Sequence, residues 1–225
     1  MVYSRNHILV INHMDILAKL FGTAEKVRIM RLFLFNNDVV FDLDTVASRT
    51  LVSPAKARIE ISTLQKIGLL KGKSLSRTIE RKRGKKVTLH KERVSGWVLN
   101  PAFKYIQQLQ SFLINISPVK GNEILKKVGK VGKLRLVITA GVFIQNWESR
   151  LDLLVVCDGL KKGALDRTIR NLEAEMGKEI RYSAFETGEF QYRLGMYDKL
   201  IRDVLDYPHE TVLDKLGVST QKTTE

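Results

Sequence analysis

The sequence predicts an α+β protein in two parts, and three observations lead to that prediction. Patterns typical of three short helices and then of two strands occupy the first hundred residues. Beyond about residue 118, strands alternate with helices, which predicts a small α/β domain. Positive charge is uneven, because residues 1–100 carry 19 basic and 8 acidic side chains whereas residues 101–225 carry 19 and 16. Such asymmetry is typical of a polyanion-binding module joined to a nearly neutral one.

Composition excludes several classes of protein. Hydrophobic residues make up 44% of the chain and charged residues 28%, which is ordinary for a folded globular protein. The apolar run at 153–157 is far shorter than the roughly 20 residues that a bilayer requires, and the run at 8–11 is too short for a secretory signal. The single cysteine, Cys157, excludes an internal disulfide, fits a reducing cytosol and is expected to pack inside a strand. We therefore expect a cytoplasmic protein without membrane contact.

The first strong helix pattern begins after Gly22. Thr23 is a suitable N-terminal cap, because its side chain can accept a hydrogen bond from a free backbone N–H. The segment 36–38, Asn-Asn-Asp, ends the helix. Five residues recur at helical spacing and form the expected amphipathic stripe: Val27, Met30, Arg31, Leu34 and Phe35.

Two further helices follow a short extended piece at 39–41. Asp42 is the expected cap of the second helix, which carries Leu43, Val46 and Ala47. After a turn at 51–52, Ser53 and Pro54 begin the third helix, because proline at the first helical position loses only an N–H that has no helical partner. Gly68 is expected to close this helix in the left-handed conformation. Its predicted buried stripe consists of Ala57, Ile61, Leu64 and Ile67.

A hairpin is expected next, with strands at 69–79 and 86–99. The tip between them, residues 80–86, is strongly basic, and Gly84 supplies the turn. Three helices followed by a basic hairpin predict a winged helix-turn-helix. The third helix is then the recognition helix, which lies in the major groove of DNA and leads with its N-terminal residues.

The candidate DNA-binding residues lie on the third helix and along the hairpin. Within residues 66–93 there are eleven basic side chains and only two acidic ones, so the charge is concentrated where this motif touches DNA. This charge has two other interpretations, a solvated basic loop and a winged helix that docks onto another protein. The candidate residues are Ser53, Lys56, Arg58, Ser62, Thr63, Lys66, Arg77, Arg81, Lys82, Arg83, Lys85 and Lys86.

The rest of the chain is expected to form a linking helix and a second domain. Asn100 and Pro101 begin a helix that runs to about Ile114, and residues 103–116 are the candidate dimer contact. Ser117 and Pro118 begin another helix, which the glycines at 129 and 132 end. Further strands are expected at 134–139, 151–157, 180–185 and 211–213, and helices at 163–176, closed by Gly177, and at 189–205, weakened at Gly195.

Residues 139–156 carry the segment with a recognisable pattern of catalytic residues. The string Thr-Ala-Gly-Val-Phe is followed after six residues by Arg-Leu-Asp-Leu-Leu-Val-Val. This segment resembles the core of the minimal nucleotidyltransferase fold, which pairs a Gly-Ser turn with an Asp-x-Asp metal site. The segment at 20–29 is similar to the ArsR-type winged helix that precedes such domains in a group of prokaryotic regulators. The resemblance covers about residues 17–217 and implies a mixed sheet in the second domain.

The departures from that family pattern predict a loss of catalysis. Gly141 matches the turn glycine, but Val142 replaces the serine. Ser149 matches the residue before the acidic pair, but Arg150 replaces the first aspartate and leaves Asp152 alone. An arginine repels the metal that a carboxylate would hold, because the replacement makes the charge of the site more positive by two units. The sequence does not place residue 179 or residue 186 as a third carboxylate of such a site. We therefore expect no catalytic residues, no metal and no cofactor.

The degenerate nucleotide site therefore consists of Gly141, Ser149, Arg150 and Asp152. Asp152 is expected to make local hydrogen bonds at the start of a strand. Arg150 is either a surface arginine or a ligand for the phosphate of a nucleotide or another anion. The four histidines, at 7, 13, 90 and 209, lack metal-ligand spacing, so no zinc site is expected.

The predicted organisation has four segments. Residues 1–100 are the winged-helix DNA-binding domain, 101–117 the linking or dimerisation helix, 118–217 the degenerate nucleotidyltransferase-like domain, and 218–225 a disordered tail. The expected function is a homodimeric transcriptional regulator that binds double-stranded DNA and uses its second domain for oligomerisation or ligand sensing. The alternatives are an active nucleotidyltransferase that modifies a small molecule, a protein or RNA, and an RNA-binding or protein-docking adaptor.

Overall fold

The computed structural model describes residues 13–83, 86–114 and 121–218, with side chains for residues 16–76, 91–114 and 121–218. The described chain combines α-helices with two separate β-sheets, so the α+β fold class is confirmed. No helix within these ranges has both the length and the apolar character needed to span a bilayer.

The first part consists of helices packed on a three-stranded antiparallel sheet of order β1-β3-β2. The two long strands pair in continuous register from Leu70 opposite Leu99 to Arg83 opposite Lys86, so the hairpin extends further than the sequence predicts. The elements are α1 (His13–Phe21), α2 (Ala24–Phe35), β1 (Phe41–Asp42), α3 (Leu43–Thr50), α4 (Pro54–Lys66), β2 (Leu70–Arg83) and β3 (Lys86–Leu99).

Local capping fixes the boundaries of these helices. The Thr23 hydroxyl accepts from the Lys26 N–H at 3.0 Å, and the Asp42 carboxylate accepts from the Thr45 N–H at 2.8 Å, so both expected caps are confirmed. Gly68 has a φ of 84°, the left-handed conformation expected after α4. Ile67 is 56% exposed, and its predicted burial is wrong because α4 ends at Lys66 and Ile67 is already the capping residue.

The second part is built on a four-stranded mixed sheet of order β6-β5-β4-β7, in which only the β5–β6 pair is parallel. Helices α6 and α7 cover one face, and α8 and α9 cover the other. Cys157 is buried on the first face, as expected. The linking helix α5 (Ile106–Leu113) packs against the core of the first part. The elements of the second part are α6 (Gly121–Val128), β4 (Lys133–Thr139), β5 (Leu153–Asp158), α7 (Lys162–Met176), β6 (Tyr182–Glu186), α8 (Thr187–Gly195), α9 (Lys199–Asp206) and β7 (Glu210–Asp214).

Two helix predictions in this region need correction. The helix expected from Asn100 begins only at Ile106, because the Asn100 side chain accepts from the Ala102 N–H and holds a turn. The helix expected over 189–205 is two helices, because Tyr197 has a φ of 55° and Asp198 caps a new helix. The expected helix start at 117–118 lies outside the described residues, as do residues 219–225 of the tail.

The two parts contact each other through α2, which packs against α7 as well as against its own domain. Buried Arg31 donates to the carbonyl oxygens of Leu113 and Glu175, both at 3.0 Å. Burial lowers the pKa of Arg31 to about 10, so the guanidinium remains charged at neutral pH. A Cβ on Gly177 would collide with the backbone of Arg31 and Leu32, so the αL glycine that ends α7 also permits this approach. The contact explains why α2 is buried nearly all round rather than along one stripe.

Candidate nucleic-acid interface and the turn around Asp152

Helix α4 presents one side to solvent along its whole length. Its inner side, with Ala57, Ile61 and Leu64, packs against α2, α3 and β2. Six of the twelve candidate residues predicted from the sequence belong to this helix and its N-terminal cap. Ser53, Lys56, Arg58, Ser62 and Lys66 are exposed, and Thr63 is half-buried and donates its hydroxyl to the Ile59 carbonyl.

The acidic residue of α4 points away from this surface. Glu60 is only 8% exposed and accepts a hydrogen bond from the Thr23 hydroxyl at 2.6 Å. Its second carboxylate oxygen lies 3.4 Å from the Lys26 ammonium. Because this carboxylate is held inside, the outer side of α4 contains basic and neutral side chains but no acidic one.

Lys56 is already engaged within the chain. Its ammonium lies 2.7 Å from the Glu25 carboxylate at the start of α2. The hydrogen bond lowers the pKa of Glu25 and raises the pKa of Lys56, so both groups are charged at neutral pH. An anionic partner would therefore compete with Glu25 for this lysine.

The hairpin carries the remaining candidate residues toward its tip. Backbone pairing places Arg77 opposite Glu92, Arg81 opposite Thr88, Lys82 opposite Val87, and Arg83 opposite Lys86. With 14 residues in each strand, the hairpin is about 45 Å long at the usual rise per residue. The predicted turn residues Gly84 and Lys85 lie outside the described residues.

Asp152 occupies the centre of the second candidate site and is completely buried. One carboxylate oxygen accepts from the Val142 N–H at 2.9 Å, and the other accepts from the Arg181 N–H at 2.8 Å. The Arg181 guanidinium donates to both oxygens at 3.1 Å. Asp152 thus makes the local hydrogen bonds expected of it, and its charge is neutralised by a basic side chain.

The glycine turn folds directly onto this carboxylate. Gly141 has a φ of 51° and begins a single 3-10 turn, Gly141–Phe143. A Cβ at this position would overlap the Asp152 carboxylate oxygen, so the turn requires glycine. The site is packed around Asp152 rather than open around it.

The other predicted members of the degenerate site point elsewhere. The Arg150 guanidinium pairs with Asp203 of α9 at 3.0 Å and is 67% exposed. The Ser149 hydroxyl donates to the Leu151 carbonyl at 2.7 Å. Of the two carboxylates considered as a third ligand, Glu179 pairs with Arg49 and Glu186 accepts from the backbone at 159 and 160. Across 13–83, 86–114 and 121–218 no group of three acidic, histidine or cysteine side chains could hold a metal ion.

Sequence reasoning missed Arg181, the partner of Asp152. Arg181 lies 29 residues away and immediately precedes β6, which runs parallel to β5. Parallel neighbours begin at the same edge of a sheet, so a basic residue at the start of the strand expected at 180–185 was the available signal.

A small aromatic cluster connects the loop after Gly141 to the first part. The Trp147 ring packs edge-on against Phe35 of α2 at 5.9 Å, and the Lys178 ammonium lies 4.5 Å from the Trp147 ring centre. Burial lowers the pKa of Lys178. A cavity of about 420 Å³ lies beside these three side chains.

Comparisons with protein-family models, with curated proteins and with solved structures find no match to the chain.

Proposed function

We propose that this chain is a transcriptional regulator whose first part binds double-stranded DNA as a winged helix-turn-helix. The observation that carries the proposal is the outer side of α4, which is exposed, basic, free of acidic side chains and uncovered by the second part. The order of elements supports it, because α2, β1, α3, α4 and the β2–β3 hairpin follow one another as the helices, strand and wing of that motif do.

The charges fit a duplex better than they fit a protein partner. Arg58 and Lys66 project from the outer side of α4, where a recognition helix meets base edges and phosphates. The hairpin brings four further basic residues toward its tip, at 81–83 and 86. In this arrangement α4 enters the major groove while the hairpin tip contacts the adjacent backbone or minor groove.

The second part acts as an inactive nucleotidyltransferase-like domain. Its mixed sheet, its glycine turn and its aspartate at the start of β5 support the resemblance. The aspartate is saturated by Arg181 and by two backbone N–H groups, which leaves it no role in binding a divalent cation. The second part contributes oligomerisation or the sensing of a nucleotide or another anionic ligand.

Dimerisation is proposed through α1 and α5. Ile16 and Leu20 on α1 are 51% and 64% exposed, and Phe112 on α5 is 40% exposed. The rings of Phe21 and Phe112 lie 6.1 Å apart, so the two helices that carry these apolar side chains are neighbours. A second copy on this surface would present two recognition helices to successive half-sites.

Selection of bound fragments from the source genome at physiological salt tests the proposal. Fluorescence anisotropy on the selected duplex should show a logarithmic affinity that falls steeply with the logarithm of salt concentration, because phosphate contacts release counterions. Tighter binding to RNA, or equal weak binding to every duplex, would contradict the regulator assignment.

A separate assay tests the inactive domain. The full chain is incubated with radiolabelled nucleoside triphosphates and Mg²⁺, and no transfer to the protein, RNA or small acceptors is expected. Transfer that disappears in Asp152→Asn would replace this proposal with an active nucleotidyltransferase.

A further inference from the structure

A cavity of about 700 Å³ lies between the base of the hairpin and the start of α5. It opens on the face of the β2–β3 hairpin that points away from α4. Strand alternation shows which face this is, because Trp97 and Leu70 occupy the face toward α4, where the Trp97 indole N–H donates to Gln65. Lys71 and Lys73 therefore occupy the opposite face, and both line the cavity.

The cavity has an excess of positive charge. Three lysines line it, Lys71, Lys73 and Lys104, against one acidic residue, Asp38. Lys71 and Lys73 are exposed, and neither forms an ion pair or hydrogen bond within the part of the chain that the structure describes. Lys104 lies over the Tyr105 ring at 4.7 Å. Lys71 and Lys73 lie two residues apart on one face of β2 and outnumber the acidic lining, so they form a favourable site for a carboxylate or a phosphate.

The rest of the lining is partly apolar and carries amide groups. Val98, which is only 4% exposed, and the half-buried Phe103 and Ile106 provide a hydrophobic surface. Gln107 and Gln110 of α5 provide hydrogen-bonding side chains beside it. Small-molecule sites combine an apolar surface with a few polar groups in about 300–1,000 Å³, and this cavity has both the size and the mixture.

We propose that this cavity binds a small organic anion, with a carboxylate or phosphate between Lys71 and Lys73 and an apolar body against Val98, Phe103 and Ile106. The site does not depend on DNA binding, because its lysines occupy the hairpin face opposite α4. It is also separate from the turn around Asp152, which contributes no residue to the lining.

The test uses 1-naphthyl phosphate as the probe and 1-naphthol as its neutral counterpart, titrated into the full chain by calorimetry. Saturable binding of the phosphate is expected, with naphthol at least tenfold weaker. The double variant Lys71→Gln with Lys73→Gln should weaken phosphate binding at least tenfold. Lys91→Gln removes an exposed lysine from the opposite face of the same hairpin, and it should leave binding unchanged.

A second variant separates the cavity from the charges that line it. Gln107→Trp keeps every lysine but fills the space beside α5, so it should abolish binding while circular dichroism shows an unchanged fold. Absence of saturable binding in the millimolar range, equal binding of naphthol, or equal loss in Lys91→Gln would overturn the proposal. These outcomes do not bear on DNA binding, which is measured separately on the selected duplex.

Discussion

The Asp152 carboxylate and the Arg181 guanidinium form a two-point ion pair, in which Nε and Nη2 each lie 3.1 Å from a carboxylate oxygen. With the N–H groups of Val142 and Arg181, the carboxylate accepts four hydrogen bonds. These bonds join the glycine turn, the start of β5 and the start of β6. The aspartate that the sequence singled out as a remnant of a metal site is therefore a structural centre of the second part.

Removal of this carboxylate should destabilise the protein strongly. Asp152→Ala leaves two backbone N–H groups and a guanidinium without their acceptor, and we expect the free energy of unfolding to fall by about 2–4 kcal/mol. Urea denaturation followed by circular dichroism measures the change. The control is Arg150→Gln, which breaks only the exposed pair with Asp203 and should cost less than about 1 kcal/mol. Equal effects of the two variants would contradict the structural role of Asp152.

Substitution of the turn glycine should also destabilise the protein. Gly141→Ala places a Cβ where the Asp152 carboxylate lies and forces alanine into the left-handed region, so we expect a loss of about 2 kcal/mol or more. Gly163→Ala is the matched control, because nothing lies within 4 Å of its added Cβ and alanine favours the helix that contains it. That variant should be neutral or gain about 0.5 kcal/mol. Thermal unfolding compares the two, and a tolerated Gly141→Ala would contradict the packing of the turn.

The features that sequence predicted well are those decided by neighbouring residues. The Thr23 and Asp42 caps and the left-handed Gly68 depend on groups within about four positions, and all three are found as expected. The helix break near Gly195 has the same local origin, although the sequence suggested only a weak point.

The features that sequence missed depend on residues far apart in the chain. The sequence places Arg31 only on an amphipathic stripe of α2, but the residue is buried and its partners are the carbonyls of residues 113 and 175. Likewise no residue close to Asp152 in the sequence indicates that Arg181 neutralises its charge. For the proposed DNA surface, the sequence identified the exposed residues of α4, but it missed that Glu60 points inward and that Glu25 engages Lys56.

The ion pair between Glu25 and Lys56 leads to a prediction about DNA affinity. Glu25→Gln removes an acidic group beside α4 and releases Lys56, so it should tighten binding a few-fold and steepen the logarithmic salt slope by about one unit. Anisotropy titrations at several salt concentrations measure both quantities. Glu123→Gln on α6 changes the net charge equally and should have little effect. Weaker binding by Glu25→Gln would mean that the pair positions Lys56 for DNA instead of withholding it.

The apolar surface of α1 and α5 predicts the oligomeric state. Leu20→Lys with Phe112→Lys should convert a dimer into a monomer in multi-angle light scattering, because charged side chains cannot be buried there without partners. Ile106 and Leu109, on the helix expected from sequence to form the dimer, pack against the core of the first part, so charges there would damage folding itself. An unchanged mass with an intact circular dichroism spectrum would remove this surface from consideration.

The hairpin tip provides the most direct test of how the chain meets DNA. Lys82→Glu with Arg83→Glu reverses two adjacent charges near the end of the paired strands, and it should weaken binding to every duplex while lowering the salt slope by about two units. Lys161→Glu with Lys162→Glu reverses two adjacent exposed lysines of the second part and changes the net charge by the same amount. This control should bind nearly as the unmodified chain does. If both variants lose affinity equally, the effect is one of overall charge; if the slope of the hairpin variant does not change, the tip makes no phosphate contact and α4 alone must hold the duplex.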